Sequence, residues 1–253
     1  MIFDTHVHLN LDDFREDQKE VMARAHHAGV GLFLNVGIDF ERSKAAVEFA
    51  EKHEGVYATV GLHPHDAQKF TEEGFEELKA LVKHHKVKAI GEIGLDYFRN
   101  LSPREIQQKV FLRFVELACE MNLPVVIHSR EAYSDIYAIL KKVSAKHHGL
   151  MHCFAGNQKD LEEALDLGLY ISFAGPVTYK KNHELRELVR QVPDNRLLVE
   201  TDAPYLPPEP FRGKRNEPAW IVETLKKMAE VRNINFDQIC EETTNNAKHL
   251  FRI

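Results

Sequence analysis

The sequence lacks any long apolar run, and it has few residues that could form disulfide bonds. Its uninterrupted apolar stretches are about five residues long, against the roughly 20 residues that a transmembrane helix needs. The N-terminal segment Met1–His6 contains no basic stretch followed by an apolar core, which argues against a secretory signal peptide. Three widely spaced cysteines in 253 residues provide no disulfide framework. We therefore expect a cytoplasmic protein with reduced thiols and no membrane partner.

An excess of basic residues is also missing. Lys and Arg number 33 against 39 Asp and Glu, which gives a formal net charge of −6. This balance disfavours a surface that is basic throughout, although a local basic patch for nucleic acid remains compatible with it. There is no glycine-rich turn of the dinucleotide-binding or P-loop type. Histidine, by contrast, is frequent, with 15 residues, and this directs attention to metal ligands.

Short apolar runs alternate with amphipathic segments about eight times along the chain. They are rich in Val, Ile and Leu, as is typical of buried parallel strands. The runs are Ile2–His8, Gly31–Gly37, Val56–Gly61, Val87–Leu95, Leu123–His128, Gly149–His152, Leu169–Ser172 and Arg196–Glu200. Eight strands alternating with helices predict an α/β fold that closes into a (β/α)8 TIM barrel. We expect a single barrel domain over residues 1–253, with an open doubly wound sheet as the alternative.

Periodicity and capping residues predict three helix boundaries. The segment Asp12–Ala28 has apolar residues at helical spacing and stops before Gly29. The segment Ser102–Glu105 has the pattern of a capping box with proline at the first helical position. Asn235 has the position of an N-cap that opens a final helix ending at His249.

Several chemically active residues stand where predicted strands end. Five histidines lie at or just past the carboxyl ends of these runs, and two acidic residues lie in or after two others. They are His6, His8, His63, Glu92, His128, His152 and Asp202. In a parallel barrel, the carboxyl ends of all strands meet at one face, where active sites are built. The sequence therefore predicts that these side chains come together at this face, where some of them could bind a metal.

His6 and His8 are separated by one residue on the first strand. Their Cα atoms are then roughly 6.6 Å apart on one side of the strand, so both imidazoles can reach one ion at about 2.0–2.1 Å. Two histidines on a polar strand face are the alternative. Asp4 is expected to face the same way. It could orient one of the imidazoles, or it could be a buried carboxylate with a partner elsewhere.

Glu92 stands within an otherwise apolar strand, where an unpaired charge is costly. A carboxylate has two oxygens and can join two cations; a buried ion pair with lysine or arginine is the alternative. Asp202 follows the last strand, which closure of the barrel brings beside His6. It can bind a metal and accept a proton from bound water, or it can simply form a turn.

Substrate contacts are predicted on the loops that follow the strands. Pro64 forces the preceding histidine into an extended conformation that could aim it into the cavity. Arginines on such loops suit phosphate oxygens, whereas solvated surface charge is the plainer explanation. The candidates for substrate binding are His63, Asp96, Arg130, Arg212 and Arg215. Asp96 could instead support a metal ligand or be a solvated loop carboxylate.

Taken together, these segments resemble the TatD family of metal-dependent hydrolases, often called TatD-type deoxyribonucleases. The resemblance runs nearly end to end and depends on seven fragments. They are Asp4–His8, Gly61–His65, Gly91–Asp96, His128–Arg130, His152–Gly156, Glu200–Leu206 and Arg212–Pro218. The resemblance implies a TIM barrel of the metal-dependent hydrolase type. Its metal-ligand set carries over to His6, His8, Glu92, His128, His152 and Asp202.

The resemblance implies a hydrolase of ester bonds, and we expect a deoxyribonuclease that cleaves phosphodiester bonds through metal-activated water. We expect two divalent metal ions, such as Zn, Mn or Mg, bridged by Glu92, with Asp202 and Glu92 as the catalytic residues. DNA, as a single strand or a strand end, is the expected substrate, and 3'-5' exonuclease action is favoured. No obligate protein partner is evident.

Two other functions remain open at this point. One is an amidohydrolase-like hydrolase of a small amide or ester. Such enzymes often join two metals through a modified lysine on the fourth strand, where Glu92 stands here. The other is a barrel that binds a metal or a partner without catalysis.

Overall fold

The computed structural model describes residues 1–143 and 148–253. Its eight strands are all parallel and form one sheet in the order β1 to β8. They are β1 (Ile2–Val7), β2 (Val30–Asn35), β3 (Val56–Val60), β4 (Val87–Asp96), β5 (Val125–Arg130), β6 (Gly149–Met151), β7 (Tyr170–Phe173) and β8 (Leu197–Val199). Each of the eight predicted runs overlaps one of these strands.

The sheet closes where the chain segment after β8 meets β1. Val7 and Ala203 form a parallel bridge, and the His8 N–H donates to the Ala203 carbonyl oxygen at 2.9 Å. The Asp202 N–H donates to the His6 carbonyl oxygen, also at 2.9 Å. The predicted TIM barrel is thus confirmed, and the open doubly wound sheet is wrong.

Helices connect the strands on the outside of the barrel. The described α-helices are α1 (Gln18–His27), α2 (Phe40–Lys52), α3 (Glu72–Leu81), α4 (Arg104–Met121), α5 (Tyr133–Val143), α6 (Gln158–Asp166), α7 (His183–Gln191), α8 (Ile221–Arg232) and α9 (Phe236–Phe251). The described 3-10 helices are Asp12–Phe14, Pro64–Lys69, Gly175–Thr178, Asp194–Arg196 and Pro218–Trp220. None of the described helices combines the length and the apolar character that crossing a membrane requires.

The predicted continuous helix over residues 12–28 is wrong, because the segment divides into a 3-10 turn and α1. Arg215 explains part of the break. Its guanidinium donates to the Asp13 carbonyl oxygen and to the Asp17 carboxylate, so a distant side chain takes the carbonyl that a continuous helix would use.

The two predicted helix caps have different outcomes. Asn235 accepts a hydrogen bond from the Gln238 N–H at 2.8 Å and caps α9, as predicted. Ser102 does not cap α4. Its hydroxyl donates to the His65 carbonyl oxygen at 2.8 Å and accepts from the Gln68 N–H at 3.1 Å. Ser102 therefore fixes the loop after β3, which carries histidines toward the barrel mouth.

Two apolar layers surround the strands. The inner layer contains one side chain from each of seven strands together with residues of α9. Its members are Phe3, Leu34, Ala89, Val126, Leu150, Tyr170, Leu198, Ala247, Leu250 and Phe251. The larger outer layer lies between the strands and the helices. Because α9 fills the amino-terminal end of the barrel, the opposite mouth is left for polar side chains.

Strand β4 contains a bulge where Glu92 stands. Ile90 pairs with Val125 of β5, and Ile93 pairs with Ile127. The chain therefore advances by three residues in β4 where it advances by two in β5. The extra residue shifts the period-two alternation of side chains by one. Ile90 and Ile93 consequently both pack in the outer layer, and Glu92 turns into the barrel.

Strand β1 has a similar irregularity just before the histidine pair. Asp4 pairs with Phe33 and Val7 pairs with Asn35 of β2, which again sets three steps against two. The alternation shifts between Asp4 and His6, so the two side chains do not share a face. The expectation that Asp4 orients a histidine ring is wrong for this reason.

Candidate metal centre

Glu92 lies at the centre of a cluster of imidazoles at the carboxyl-terminal mouth of the barrel. Its Oε2 atom is 3.3 Å from His6 Nε2 and 3.9 Å from His8 Nε2. Its Oε1 atom is 3.0 Å from His128 Nδ1 and 3.4 Å from His152 Nε2. The two oxygens of one carboxylate therefore face two separate groups of nitrogen atoms.

Asp202 completes the group on the Oε2 side. Its Oδ1 atom lies 3.7 Å from His6 Nε2 and 3.4 Å from His8 Nε2, and these two nitrogens are 3.2 Å apart. Four donors bound to one ion at about 2.1 Å would be about 3.4 Å apart in a tetrahedron. The spacings among these donors, including those of His6 and His8 from Glu92 Oε2, run from 3.2 to 3.9 Å and are close to this value.

His63 joins the group on the Oε1 side. Its Nε2 atom is 3.4 Å from Glu92 Oε1, at the same distance as His152 Nε2. The set His63, Glu92 and His128 has the mutual spacing of a metal site. His63 is thus placed where it could bind a cation as well as a substrate. His152 lies between the two groups, with its ring stacked on that of His6 at 3.7 Å.

The surrounding imidazoles keep the central carboxylates ionised. Burial by itself would raise the pKa of Glu92, but His152 and His63 lower it well below its usual value. Burial also opposes ionisation of Asp202, but a hydrogen bond with His8 and the charges of His152 and His6 together lower its pKa. Two buried negative charges at one mouth call for a cationic occupant.

The imidazoles differ in protonation. Burial lowers the pKa of His63 to about 4, so this ring is neutral at pH 7. Burial also disfavours protonated His152, but the carboxylates of Glu200 and Glu92 prevail and raise its pKa to about 10. Because a metal ligand must be a neutral imidazole, a cation that binds His152 displaces this proton.

Glu200 was not singled out by the sequence analysis. It is fully buried, and its Oε1 atom is 2.8 Å from His152 Nδ1 and accepts the Cys153 N–H at 2.7 Å. By contrast, the Nδ1 atoms of His6 and His8 have no hydrogen-bond partner within the described ranges. The available signal was spacing, since Glu200 precedes Asp202 by two residues and so faces the same side of the strand.

Asp96 holds two imidazoles rather than lying open on a loop. Its Oδ2 atom is 2.8 Å from His65 Nε2 and 3.3 Å from His128 Nε2, and its Oδ1 atom accepts the Arg99 N–H at 2.7 Å. Its exposed fraction is 1%. Gly94 allows this strand to approach, because a side chain there would collide with the carbonyl oxygen of His128. The role of His65 was also missed by the sequence analysis.

Asp4 is buried beside β8 and away from the histidine rings. Its carboxylate accepts the Thr201 hydroxyl at 2.6 Å and the Thr201 N–H at 2.9 Å. Burial raises the pKa of Asp4 to about 7, against these hydrogen bonds. It therefore joins β1 to the segment after β8 and supports the backbone that carries Asp202.

Of the three arginines predicted to bind substrate, one lines the cavity above Glu92. Arg130 stands at its rim with its guanidinium 3.9 Å from the centre of the Phe98 ring. Arg212 lies over the Tyr179 ring at 4.3 Å, and Arg215 pairs with Asp17 at 2.7 Å. The structure does not bring these last two into the lining of the cavity.

The cavity has a volume of about 370 Å³. Both charged and aromatic side chains line it, including five of the six predicted metal ligands, all except His6. Its lining residues are His8, Ile38, His63, His65, Asp66, Glu92, Asp96, Arg99, His128, Arg130, His152, Asp202 and Tyr205.

Comparisons with known proteins match the chain from end to end. The family described as "TatD related DNase" matches residues 3–252. The chain is 44% identical over 254 residues to "Uncharacterized metal-dependent hydrolase YabD" of Bacillus subtilis, covering 100% of both proteins. It is 38% identical to "3'-5' ssDNA/RNA exonuclease TatD" of Cronobacter sakazakii, over 99% of this chain and 97% of that protein. The crystal structure of YJJV, a TatD homologue of Escherichia coli K12, has a TM-score of 0.94 and 31% identity, with 100% and 98% coverage.

Proposed function

The chain belongs to the TatD family of metal-dependent hydrolases, and on this premise we propose that it is a 3'-5' exonuclease acting on single-stranded nucleic acid. The observation that carries the proposal is the single carboxylate of Glu92 facing two groups of imidazoles. The substrate and the polarity are supported by the relative named as a 3'-5' exonuclease of single-stranded DNA and RNA.

We assign the two groups of donors to two divalent cations bridged by Glu92. His6, His8 and Asp202 would hold one ion, and His128 and His152 the other, with His63 as a further donor. Ions held there would supply Lewis acidity, which favours ionisation of an attacking water and offsets charge on phosphate oxygens. Four or five imidazoles favour zinc, manganese, iron or cobalt over magnesium.

Asp202 is assigned as the group that orients the attacking water and accepts its proton. It lines the cavity, so its carboxylate is accessible to a water molecule beside the substrate. Its position is fixed on both sides, because its N–H donates to the His6 carbonyl oxygen and its own carbonyl oxygen accepts the Tyr205 N–H at 2.8 Å. A carboxylate held in this way can act as a general base.

Two arginines at the rim supply local attraction for phosphate despite the net charge of −6. Arg130 and Arg99 both line the cavity, and both are exposed. A guanidinium offers several donors to the oxygens of one phosphate. We assign Arg130 to the scissile or the adjacent phosphate, because Phe98 holds its guanidinium at the cavity.

A hydrolase of a small amide or ester is the weaker candidate. It would use the same kind of barrel and the same water activation. Enzymes of that type often join two metals through a modified lysine on the fourth strand. Here Glu92 is on that strand and contacts both groups of imidazoles, which favours the nuclease.

Metal removal gives a direct test of the proposed function. We expect that chelation with EDTA abolishes cleavage of a 5'-labelled single-stranded oligonucleotide and that one or more divalent metals restore it. Cleavage should be faster for the single strand than for a blunt duplex of the same sequence. Measurements would follow product ladders across Zn, Mn, Co and Mg. Robust hydrolysis of an amide with no cleavage of any phosphodiester, across all four metals, would overturn the assignment.

Replacing Glu200 by glutamine is expected to weaken metal binding at the His152 side by about 10- to 100-fold. Glutamine keeps the volume but removes the charge that holds His152 Nδ1 at 2.8 Å. Calorimetric titration with zinc would measure the affinity of each site. The exposed Glu187→Gln variant on α7 is the matched control. An unchanged affinity in Glu200→Gln would show that this carboxylate does not support the metal centre.

A further inference from the structure

Two exposed aromatic side chains stand at the barrel mouth. In the part of the chain that the structure describes, five large apolar side chains are exposed, and only Tyr205 and Phe98 among them are aromatic. Their exposed fractions are 51% and 56%. Phe98 lies two residues after the end of β4, which carries Glu92, and Tyr205 lies three residues after Asp202. Aromatic rings exposed at such a place offer flat surfaces on which the bases of a single strand can stack.

Tyr205 is held rigidly against the metal centre. Its N–H donates to the Asp202 carbonyl oxygen at 2.8 Å, and its own carbonyl oxygen accepts from Asn216 Nδ2 at 2.6 Å. Its ring lies edge-on to His8, with the ring centres 5.9 Å apart. The ring forms part of the cavity wall, while about half of the residue stays open to solvent. Because Tyr205 is held in place and about half exposed, a base can stack on its ring with little loss of side-chain conformational entropy.

A second flat surface is formed by Arg130 and Phe98 together. The Arg130 guanidinium lies 3.9 Å from the centre of the Phe98 ring, and Arg130 rather than Phe98 lines the cavity. The turn that carries Phe98 is fixed because Asp96 accepts the Arg99 N–H at 2.7 Å. A guanidinium is planar, so one face can lie on the Phe98 ring while the other stacks on a base, and its N–H groups can still bind phosphate.

The two surfaces lie on opposite sides of the barrel mouth. Tyr205 follows β8 and contacts His8 at the end of β1, whereas Phe98 follows β4 and Arg130 ends β5. In a closed ring of eight strands in sequence order, the β8–β1 seam is opposite the β4–β5 pair. Glu92 and its imidazoles lie inside this ring. A strand whose phosphate reaches Glu92 therefore has one flat surface on each side.

We propose that Tyr205 and the Arg130–Phe98 stack bind the two nucleobases that flank the scissile phosphate. This inference rests on the proposed nuclease function and adds the origin of its strand preference. Stacking on aromatic and guanidinium faces tolerates any base, because every base has a flat π-face. Two bases can reach opposite walls only when they are unpaired, so the arrangement selects single-stranded nucleic acid.

The test compares an ordinary single-stranded oligonucleotide with one whose two 3'-terminal nucleotides are abasic. We expect Tyr205→Ala and Phe98→Ala to raise KM for the ordinary strand by about 5- to 100-fold, with kcat changed less than about threefold. Tyr205→Phe should have the same KM as the wild-type protein, because phenylalanine keeps the aromatic ring. Leu101→Ala is the matched control, since Leu101 is an equally exposed apolar residue of the same loop as Phe98. On the abasic strand, all of these proteins should have the same, raised KM.

Three results would overturn the stacking inference while leaving the nuclease function standing. The first is an unchanged KM in Tyr205→Ala. The second is a rise in KM on the abasic strand, in Tyr205→Ala or Phe98→Ala, as large as the rise on the ordinary strand. The third is a rise in KM in Leu101→Ala as large as that in Phe98→Ala. The last would indicate a general apolar contact. If the wild-type protein cleaves neither strand with any divalent metal, the proposed function fails and the inference falls with it. Thermal unfolding of each variant verifies that the fold is intact.

Discussion

Replacing Glu92 by glutamine is expected to lower kcat for phosphodiester cleavage by about 1,000-fold or more, because metal activation supplies several kcal/mol. The same change should reduce the bound metal from two ions per chain to one or none. Glutamine keeps the size of the side chain but cannot offer a negative oxygen to each group of imidazoles. Glu92 Oε2 lies 3.3 Å from His6 Nε2, and Oε1 lies 3.0 Å from His128 Nδ1, so both groups lose their shared anion.

Metal analysis of the purified variant and steady-state kinetics on a labelled single strand would measure these two effects. Glu105→Gln makes the same chemical change at an exposed position near the start of α4 and should leave both quantities unaltered. A Glu92→Gln protein that kept two metals per chain and near-normal turnover would show that the carboxylate does not bridge two ions.

Replacing Asp202 by asparagine is expected to lower kcat by about 100- to 10,000-fold, the usual contribution of a positioned general base. Binding of single-stranded DNA should change much less, because the rim residues Arg130 and Tyr205 are untouched. An asparagine oxygen can still coordinate a metal at the Oδ1 position, but it cannot take the proton of the attacking water. The prediction therefore separates turnover from binding.

Fluorescence anisotropy with a labelled single strand, together with single-turnover kinetics, would distinguish the two effects. Asp12→Asn is a suitable control, because Asp12 is an exposed carboxylate that does not line the cavity. If Asp202→Asn lost DNA binding in proportion to turnover, Asp202 would be a substrate or folding contact. If it retained turnover, another group would have to accept the proton.

The sequence by itself predicted the barrel and much of its mouth. Alternating apolar runs located all eight strands, because buried parallel strands are continuous stretches of Val, Ile and Leu. Regular alternation of side chains along a strand also explains why His128, His152 and Asp202 point into the barrel. Each stands an even number of residues after an inner-layer side chain of its own strand, as His152 does after Leu150.

Regular alternation does not account for the two central elements of the site. Counted from Phe3 and Ala89 in the inner layer, it would turn His6 and Glu92 toward the outer helices. One extra residue in β1 and one in β4 turn these side chains inward instead. Their place in the strands and the resemblance to a known family pointed to both as ligands, but neither gave a physical reason for the direction of the side chains. A bulge belongs to the pairing between strands and has only a weak trace in one strand's composition.

The supporting contacts were decided by the tertiary structure in the same way. Glu200 on His152, and Asp96 on His65 and His128, connect segments that are distant in sequence. Arg215 has the residue type of a phosphate contact, yet Asp17 of the first connecting segment binds it. The type of a residue and its position at the end of a strand determine which side chains are available at the mouth. Partners that come from other strands and loops determine where each one points and what it can touch, and they exist only once the barrel has closed.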